Sequence, residues 1–211
     1  MVKKEKFIPL FVSPLMKIEL DLDLEQLTEF AFQLQNKDKK GIKRTNIGGW
    51  HSNNIGEEKH EEFIKLKKEM NQHLQTYSES TFAGMKFNEN IIQDIRHIWV
   101  NINEKHHYNE WHIHPLATLS GTFYIKHDGS TENGNITFKN PNGLYMGVSH
   151  WPKRLVKNYD EITAGKISIT PKSNGLLIFP SWLEHRAETN LKNNTRISLA
   201  FNTIPILEKK S

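Results

Sequence analysis

The spacing of apolar and polar positions changes early in this chain. Residues Met16 to Leu20 alternate apolar and polar side chains, which predicts a half-buried strand, and the run at 7–12 predicts a short edge strand before it. From Asp23 to Leu34 the apolar residues instead recur every three or four positions, which predicts a helix with Asp23 as its N-cap. The chain therefore opens with extended structure and then becomes helical.

A second helix is predicted over residues 57–77, and one of its sides is rich in lysine. Its apolar side consists of Phe63, Ile64, Leu66, Met70 and Leu74. Between the two helices, residues 45–54 have the composition of a turn with an embedded tryptophan. This segment is either a surface connector, which is the interpretation we favour, or part of the mouth of a ligand site.

From about residue 90 onward, short β-rich runs are separated by turn signals. These runs lie at 91–102, 119–125, 135–138, 167–169, 176–179 and 196–202. Several short strands in succession indicate a sandwich or a jelly roll. The long connection from Pro141 to Gly165 is either a lid over a binding site or a variable insertion.

The length of 211 residues suits one sizeable core. We therefore expect a single domain over 1–211, with N-terminal strands and two supporting helices in 1–89 and the β core in 90–205. No apolar stretch approaches the roughly 20 residues of a membrane span, and the basic start lacks the apolar core of a signal peptide. The chain has no cysteine, which excludes disulfides and cysteine-bound metals and agrees with a cytoplasmic location.

The net charge of +4 comes from lysines that are scattered and mixed with glutamates. Such a distribution is typical of an ordinary solvated surface, so a nucleic-acid partner is not expected. A homodimer is left open, because nothing in the sequence indicates the oligomeric state. Eleven histidines are many for this length, and they direct attention to metal binding.

Three of these histidines are candidate metal ligands. His112 and His114 are two residues apart, so in an extended segment their side chains share one face. His185 follows an apolar, proline-bounded run, and jelly rolls bring such distant segments together. Neutral imidazole is a good ligand for iron, and three ligands on one face leave coordination positions open. Glu110 would share the same face and is a rival ligand, which we rank below His114.

A candidate anion site follows His185 in the sequence. Arg196 begins another β-rich run, and Ser198 lies on the same face by the same period of two. A guanidinium beside a hydroxyl is suited to bidentate capture of a carboxylate.

Taken together, these features resemble a known family, the 2-oxoglutarate- and iron(II)-dependent oxygenases with a double-stranded β-helix core. A bacterial and phage branch of this family has the pattern H-x-H-P followed by S-G-x-x-Y, which residues 112–115 and 120–124 match. The second half of the pattern is F-P-S-x-L-x-H and then R-I-S-x-x-F-N, and residues 179–185 and 196–202 match it. The resemblance covers roughly residues 90 to 205.

The resemblance implies a mainly β fold with flanking helices: a double-stranded β-helix, or cupin-like jelly roll, with an N-terminal helical layer. It implies that His112, His114 and His185 hold Fe(II), and that Arg196 and Ser198 bind the distal carboxylate of 2-oxoglutarate. Most members of the superfamily have a carboxylate in place of His114, so the metal site departs from the usual two-histidine, one-carboxylate triad.

The implied activity is that of a dioxygenase that hydroxylates a small-molecule or peptide substrate with molecular oxygen. Tyr124, on an inner strand, either donates its hydroxyl to 2-oxoglutarate or is a core tyrosine. Two alternatives stay open: a cupin-like metal enzyme that does not use 2-oxoglutarate, and a jelly-roll binding module without turnover.

Overall fold

The computed structural model describes residues 11–80, 91–144, 157, 160 and 163–207. Its two long α-helices are α1 at Leu24–Lys37 and α2 at Glu61–Glu79. The strands β1 to β11 lie at Met16–Glu19, Asn46–Ile47, Trp50–His51, Ile91–Asn103, Tyr108–His112, Leu119–Lys126, Ile136–Lys139, Lys166–Ile169, Gly175–Pro180, His185–Ala187 and Arg196–Leu207.

The strands form two antiparallel sheets. The six-stranded sheet has the order β1-β9-β6-β11-β4-β3, and the five-stranded sheet has the order β2-β5-β10-β7-β8. Strands that are distant in sequence are neighbours in both sheets, as β10 is of β5 and β11 is of β4. This arrangement is a double-stranded β-helix, so the predicted mainly β jelly roll with flanking helices is confirmed.

The two faces of the six-stranded sheet have different surroundings, and the alternating residues of β4 show this most clearly. Ile98, Val100 and Ile102 are buried in the main hydrophobic core, where β4 packs on α2 and β6 of the same sheet packs on α1. Trp99 and Asn101, which alternate with them, line a cavity between the two sheets. The helices therefore support the sheet from outside, and its inner face is left for a site.

Two polar contacts fix the start of α1. The Asp23 carboxylate accepts hydrogen bonds from the backbone N–H groups of Glu25 and Gln26, both at 3.1 Å, as expected of an N-cap. The Asp23 N–H donates to the buried Glu62 carboxylate at 2.8 Å, which ties the start of α1 to that of α2. The apolar side predicted for α2 is wrong at one position: Ile64 is 46% exposed, because the helix is buried along the stripe that contains Phe63.

A second, smaller hydrophobic cluster contains residues of both sheets, and three of its members line the cavity. Its buried members are Tyr124, Ile136, Phe138, Leu177, Phe179 and Leu183. The rings of Phe179 and Phe138 meet edge to face with their centroids 5.0 Å apart, and the centroid of Phe179 lies 4.8 Å from that of the His185 ring. The cluster therefore forms an apolar wall directly beside one of the candidate ligands.

The segment 45–54 differs from the connector that we favoured. It contains β2 and β3, which pair with β5 and β4, and several of its residues line the cavity. Turn-forming residues occur here because the two strands are only two residues long, and Gly48 between them has a φ of +81°. The preference for a surface connector was therefore wrong.

Two other expectations concern segments that are described only in part. The edge strand predicted at 7–12 lies mostly outside the described residues, and Phe11 and Val12 are not in a strand. Most of the connection from 141 to 165 also lies outside them. Among the described helices, neither is long and apolar enough to cross a membrane.

Candidate functional site

Three histidines converge at one end of the cavity. His112 is the last residue of β5, and His185 is the first residue of β10, directly opposite it in the antiparallel pair. His114 lies beyond the end of β5, where its backbone N–H donates to the Ser181 carbonyl at 2.9 Å. One nitrogen from each ring lies within 4.8 Å of the others, and these three residues are the group of potential metal ligands in the described part of the chain.

Backbone carbonyls orient two of the imidazoles. Nδ1 of His112 lies 2.6 Å from the carbonyl oxygen of Glu110, and Nδ1 of His185 lies 2.8 Å from that of Leu183. A carbonyl can only accept, so both Nδ1 atoms carry the proton and donate it. The Nε2 atoms of both rings therefore keep their lone pairs for a metal, as expected of histidine ligands that are held by a second group.

A side-chain amide holds the third imidazole. Nδ2 of Asn202 lies 3.3 Å from Nδ1 of His114, and Oδ1 of Asn202 accepts a hydrogen bond from the Ser120 hydroxyl at 2.7 Å. A half-turn of this amide exchanges its oxygen and nitrogen, and in that orientation Oδ1 accepts the Nδ1 proton and Nε2 of His114 keeps its lone pair, as in the other two rings. The hydroxyl of Ser120 is compatible with that orientation, because it can accept as well as donate.

Burial keeps the three rings neutral. It lowers the pKa of His112, and burial together with the neighbouring imidazoles lowers the pKa values of His114 and His185 to about 3. Neutral imidazole is the form that binds metals. The site therefore presents three uncharged donors at neutral pH.

The rival ligand Glu110 is outside this group. β5 pairs His112 with His185 and Asn109 with Ala187, so two residues of β5 lie opposite the single Arg186 of β10. This bulge breaks the period of two. Asn109 and His112 both line the cavity, whereas Glu110 is exposed. The expectation that Glu110 shares the face of the histidines was wrong, because a bulge is not visible in the alternation of the sequence.

Arg196 lies deep in the same cavity and is only 2% exposed. Its Nη1 donates to three backbone carbonyls, those of Glu188 at 2.8 Å, Asn133 at 3.0 Å and Gly134 at 3.2 Å. Its Nη2 is buried without a hydrogen-bond partner. A buried N–H group without a partner is costly, so the guanidinium is fixed on one side and open to an anion on the other.

Ser198 and Tyr124 lie beside Arg196 and also line the cavity. They are paired across β11 and β6, and Ser198 shares the inner face with Arg196 as the alternation predicts. Burial raises the pKa of Tyr124 to about 12, although the adjacent Arg196 charge opposes this. The phenol therefore stays protonated and can donate a hydrogen bond.

Sequence reasoning missed several residues that complete the site. Asn202 falls inside the matched R-I-S-x-x-F-N pattern, so its place in the pattern was the available signal. His51 and Trp99 also line the cavity, with their rings stacked at 5.5 Å and inclined by 6°, and the Trp99 ring lies 5.8 Å from that of His114. No spacing in the sequence links His51 to these residues, because it arrives through the short strand β3.

The whole cavity has a volume of about 620 Å³. Among its lining residues Arg196, Ser198 and Tyr124 are buried, His112 and His114 are partly exposed, and Arg44, His97 and Ile113 are exposed at its mouth. This size falls within the range of small-molecule sites. The cavity is thus large enough for a bound metal, a small dicarboxylate and part of a further molecule.

The sequence matches one known family. The profile of the family described as "Putative 2OG-Fe(II) oxygenase" matches residues 97–202, which contain all three histidines, Arg196 and Ser198. None of the curated proteins matches this sequence.

Solved structures share the fold at low sequence identity. A prolyl-4-hydroxylase from Pseudomonas putida is 11% identical with a TM-score of 0.57, and the alignment covers 93% of each chain. A prolyl hydroxylase from Trichoplax adhaerens, in complex with a hypoxia-inducible-factor peptide, is 15% identical with a TM-score of 0.58 over 90% of this chain and 83% of that one. HygX from Streptomyces hygroscopicus, with nickel and 2-oxoglutarate bound, is 8% identical with a TM-score of 0.58 over 90% of this chain and 82% of that one.

Proposed function

This chain belongs to the 2OG-Fe(II) oxygenase family, and from that membership we propose that it is a 2-oxoglutarate-dependent hydroxylase whose iron is bound by His112, His114 and His185. We assign the distal carboxylate of 2-oxoglutarate to Arg196 and Ser198. The observation that carries the proposal is the buried, unpartnered Nη2 of Arg196 in the same cavity as the three converging imidazoles.

The residues present fit iron(II). Three neutral imidazoles are suitable donors, and ligands from one side only leave positions for a chelating cosubstrate and oxygen. The Nδ1–H groups of His112 and His185 are already committed to carbonyls, so both rings can bind without reorientation.

The residues also fit a dicarboxylate. Nη2 of Arg196 lacks a partner, the Ser198 hydroxyl is its neighbour on the same strand face, and the phenol of Tyr124 is protonated. A carboxylate placed there would receive charge-assisted hydrogen bonds in a largely dry pocket. We propose that Tyr124 donates the third of these bonds.

When bound, iron and 2-oxoglutarate would supply the oxidising chemistry, which consumes oxygen, releases succinate and carbon dioxide, and hydroxylates a C–H bond. The protein's own residues orient the bound groups and exclude water from them. Arg196 fixes one end of the cosubstrate, the carbonyl-held imidazoles fix the metal, and Phe138 and Phe179 keep water from the deep side. A peptide or a small molecule enters from the mouth at Arg44 and Ile113.

Two broader expectations remain proposals. We propose a cytoplasmic location from the absence of cysteine in the sequence. A homodimer is equally a proposal, and neither bears on the chemistry of the cavity.

Anaerobic titration tests the assignment. Iron(II) followed by 2-oxoglutarate should produce the visible charge-transfer band of the chelated complex. The band should be lost in Arg196→Ala while iron still binds, and it should persist in Arg96→Ala, because Arg96 is exposed, pairs with Asp94 and does not line the cavity. A wild-type protein that binds iron but develops no band, and forms no succinate, would refute the oxygenase assignment.

A further inference from the structure

The charges around the cavity are strongly one-sided. Among the described residues that line it, there are two arginines and five histidines but no aspartate or glutamate. One arginine, Arg196, is at the deep end, and the other, Arg44, is exposed at the mouth. Clefts lined by one sign of charge attract ligands of the opposite sign.

The proposed cofactors do not remove this asymmetry. Three neutral imidazoles leave the charge of iron(II) uncompensated by the protein, whereas the usual carboxylate ligand would offset part of it. A bound 2-oxoglutarate dianion cancels the charge of the metal, and the positive charges of Arg196 and Arg44 then remain. The loaded cavity is therefore still attractive to an anion, and this step rests on the proposed function.

Arg44 is placed to receive that anion. Its backbone N–H donates to the Asn46 side chain at 2.8 Å, which holds the segment before β2 in place. Its guanidinium makes no ion pair with any carboxylate in the described parts of the chain. The guanidinium lies close enough to His51 for its charge to lower the pKa of that ring, in addition to the larger effect of burial.

An aromatic surface leads from Arg44 towards the metal ligands. His51 is buried and stacks on Trp99, and Trp99 in turn contacts the ring of His114. Nδ1 of His51 donates to the Ser52 carbonyl at 2.7 Å, so the ring is held in one orientation. An apolar or aromatic part of a substrate can lie along this surface, with one end at Arg44 and the other beside His114.

We propose that the substrate is a small organic anion, whose carboxylate or phosphate binds Arg44 and whose apolar part lies on Trp99 with a C–H group directed to the metal site. Carboxylate and phosphate both form bidentate pairs with arginine, so Arg44 is suited to either of them. The anion at the mouth is separate from the 2-oxoglutarate carboxylate at Arg196.

Calorimetry on the protein loaded anaerobically with iron(II) and saturating 2-oxoglutarate tests this assignment at fixed ionic strength. The probes are 3-phenylpropionate, its amide and 2-phenylethyl phosphate, which share an aromatic ring and differ in the polar end. The acid or the phosphate should bind about 10- to 100-fold more tightly than the amide, as the loss of one charged hydrogen-bonded pair implies. The anion that binds more tightly shows whether the charged group of the substrate is a carboxylate or a phosphate.

Two variants make the test specific. Arg44→Gln should reduce the affinity for the anions to that for the amide, and Lys43→Gln should leave the preference intact, because Lys43 is an exposed neighbour that does not line the cavity. The proposal is overturned if neither anion binds more tightly than the amide, or if Arg44→Gln keeps the preference. An unchanged charge-transfer band in Arg44→Gln shows that 2-oxoglutarate still binds, so failure here is distinguishable from failure of the oxygenase assignment.

Discussion

Gly134 touches Arg196 so closely that a side chain at position 134 would displace the guanidinium. The Gly134 carbonyl accepts a hydrogen bond from Nη1 of Arg196 at 3.2 Å, and a Cβ on Gly134 would lie 2.0 Å from the same atom. Contacts below about 3 Å require something to move. The backbone here also has a φ of +93°, which L side chains rarely adopt. The position of the Arg196 guanidinium therefore requires a glycine at position 134.

We predict that Gly134→Ala weakens 2-oxoglutarate binding at least about tenfold, because the guanidinium must leave its position. Gly129→Ala is the matched control: its φ is +78°, but its Cβ would meet only Lys172, at 3.9 Å. Both variants should lose about 1–3 kcal/mol of stability from backbone strain. Titration of 2-oxoglutarate below the melting temperature measures the difference. Equal weakening in both variants would mean that strain alone, and not the contact with Arg196, controls binding.

The choice of the third metal ligand can be decided directly. His114→Ala should abolish tight iron(II) binding, because its imidazole nitrogen lies within 4.8 Å of the other two ligand atoms. Glu110→Ala should bind iron like the wild type, since Glu110 is exposed beyond the bulge in β5. Anaerobic calorimetry with iron(II) measures both. Retention of metal in His114→Ala with loss in Glu110→Ala would reverse our assignment.

Asn202 should affect the affinity for iron through its contact with His114. With the amide turned so that its oxygen, and not Nδ2, faces Nδ1 of His114, Asn202→Asp replaces this acceptor with a stronger one and should hold iron at least as tightly as the wild type. Asn202→Leu removes the acceptor and should weaken iron binding about 10- to 100-fold. Ser120→Ala is the comparison, because it removes the other contact of the amide and leaves the acceptor in place. Identical affinities in the aspartate and leucine variants would exclude this role.

The sequence predicted most of the fold because alternation and helical spacing are local. The strand at Met16 and the cap at Asp23 were predictable from a few neighbours, as were the long strands β4 and β11. The two-residue strands β2 and β3 were not, because their turn-forming residues satisfy no pattern and their pairing with β5 and β4 is a long-range property.

The same distinction applies to the site. Alternation correctly placed Arg196 and Ser198 on one inner face, and it failed for Glu110, where a bulge adds one residue to β5. Arg44 and His51 could not be connected with His112 from the sequence, since they precede it by 68 and 61 residues and reach the cavity only through β2, β3 and the loop before them. Gly121 was visible in the sequence as part of the S-G-x-x-Y pattern, but the reason for a glycine there was not. The structure supplies it: a Cβ at position 121 would lie 2.3 Å from a ring atom of Phe201.

Acid stability should depend on Asp128, which anchors the loop that holds Arg196. Its carboxylate accepts hydrogen bonds from Lys192 at 2.5 Å, from Asn194 at 3.0 Å and from Ser130. These bonds, that of Lys192 foremost, hold the pKa of Asp128 well below its ordinary value of 3.8. The loop continues to Asn133 and Gly134, whose carbonyls hold the guanidinium of Arg196.

A lowered pKa means that the ionised carboxylate stabilises the fold at pH values above the ordinary pKa. As the pH falls below about 4, the unfolded chain takes up a proton that the folded protein does not, so this stability is progressively lost. Because the side chains of Asp128 and Lys192 are both partly exposed to solvent, Asp128→Asn should cost no more than about 1 kcal/mol near neutral pH and flatten the decrease in acid. Asp94→Asn is the control, since Asp94 has only a 3.9 Å ion pair with Arg96. Urea unfolding at about pH 7 and about pH 3 measures the effect, and parallel pH curves for wild type and Asp128→Asn would show that the loop is held by other contacts.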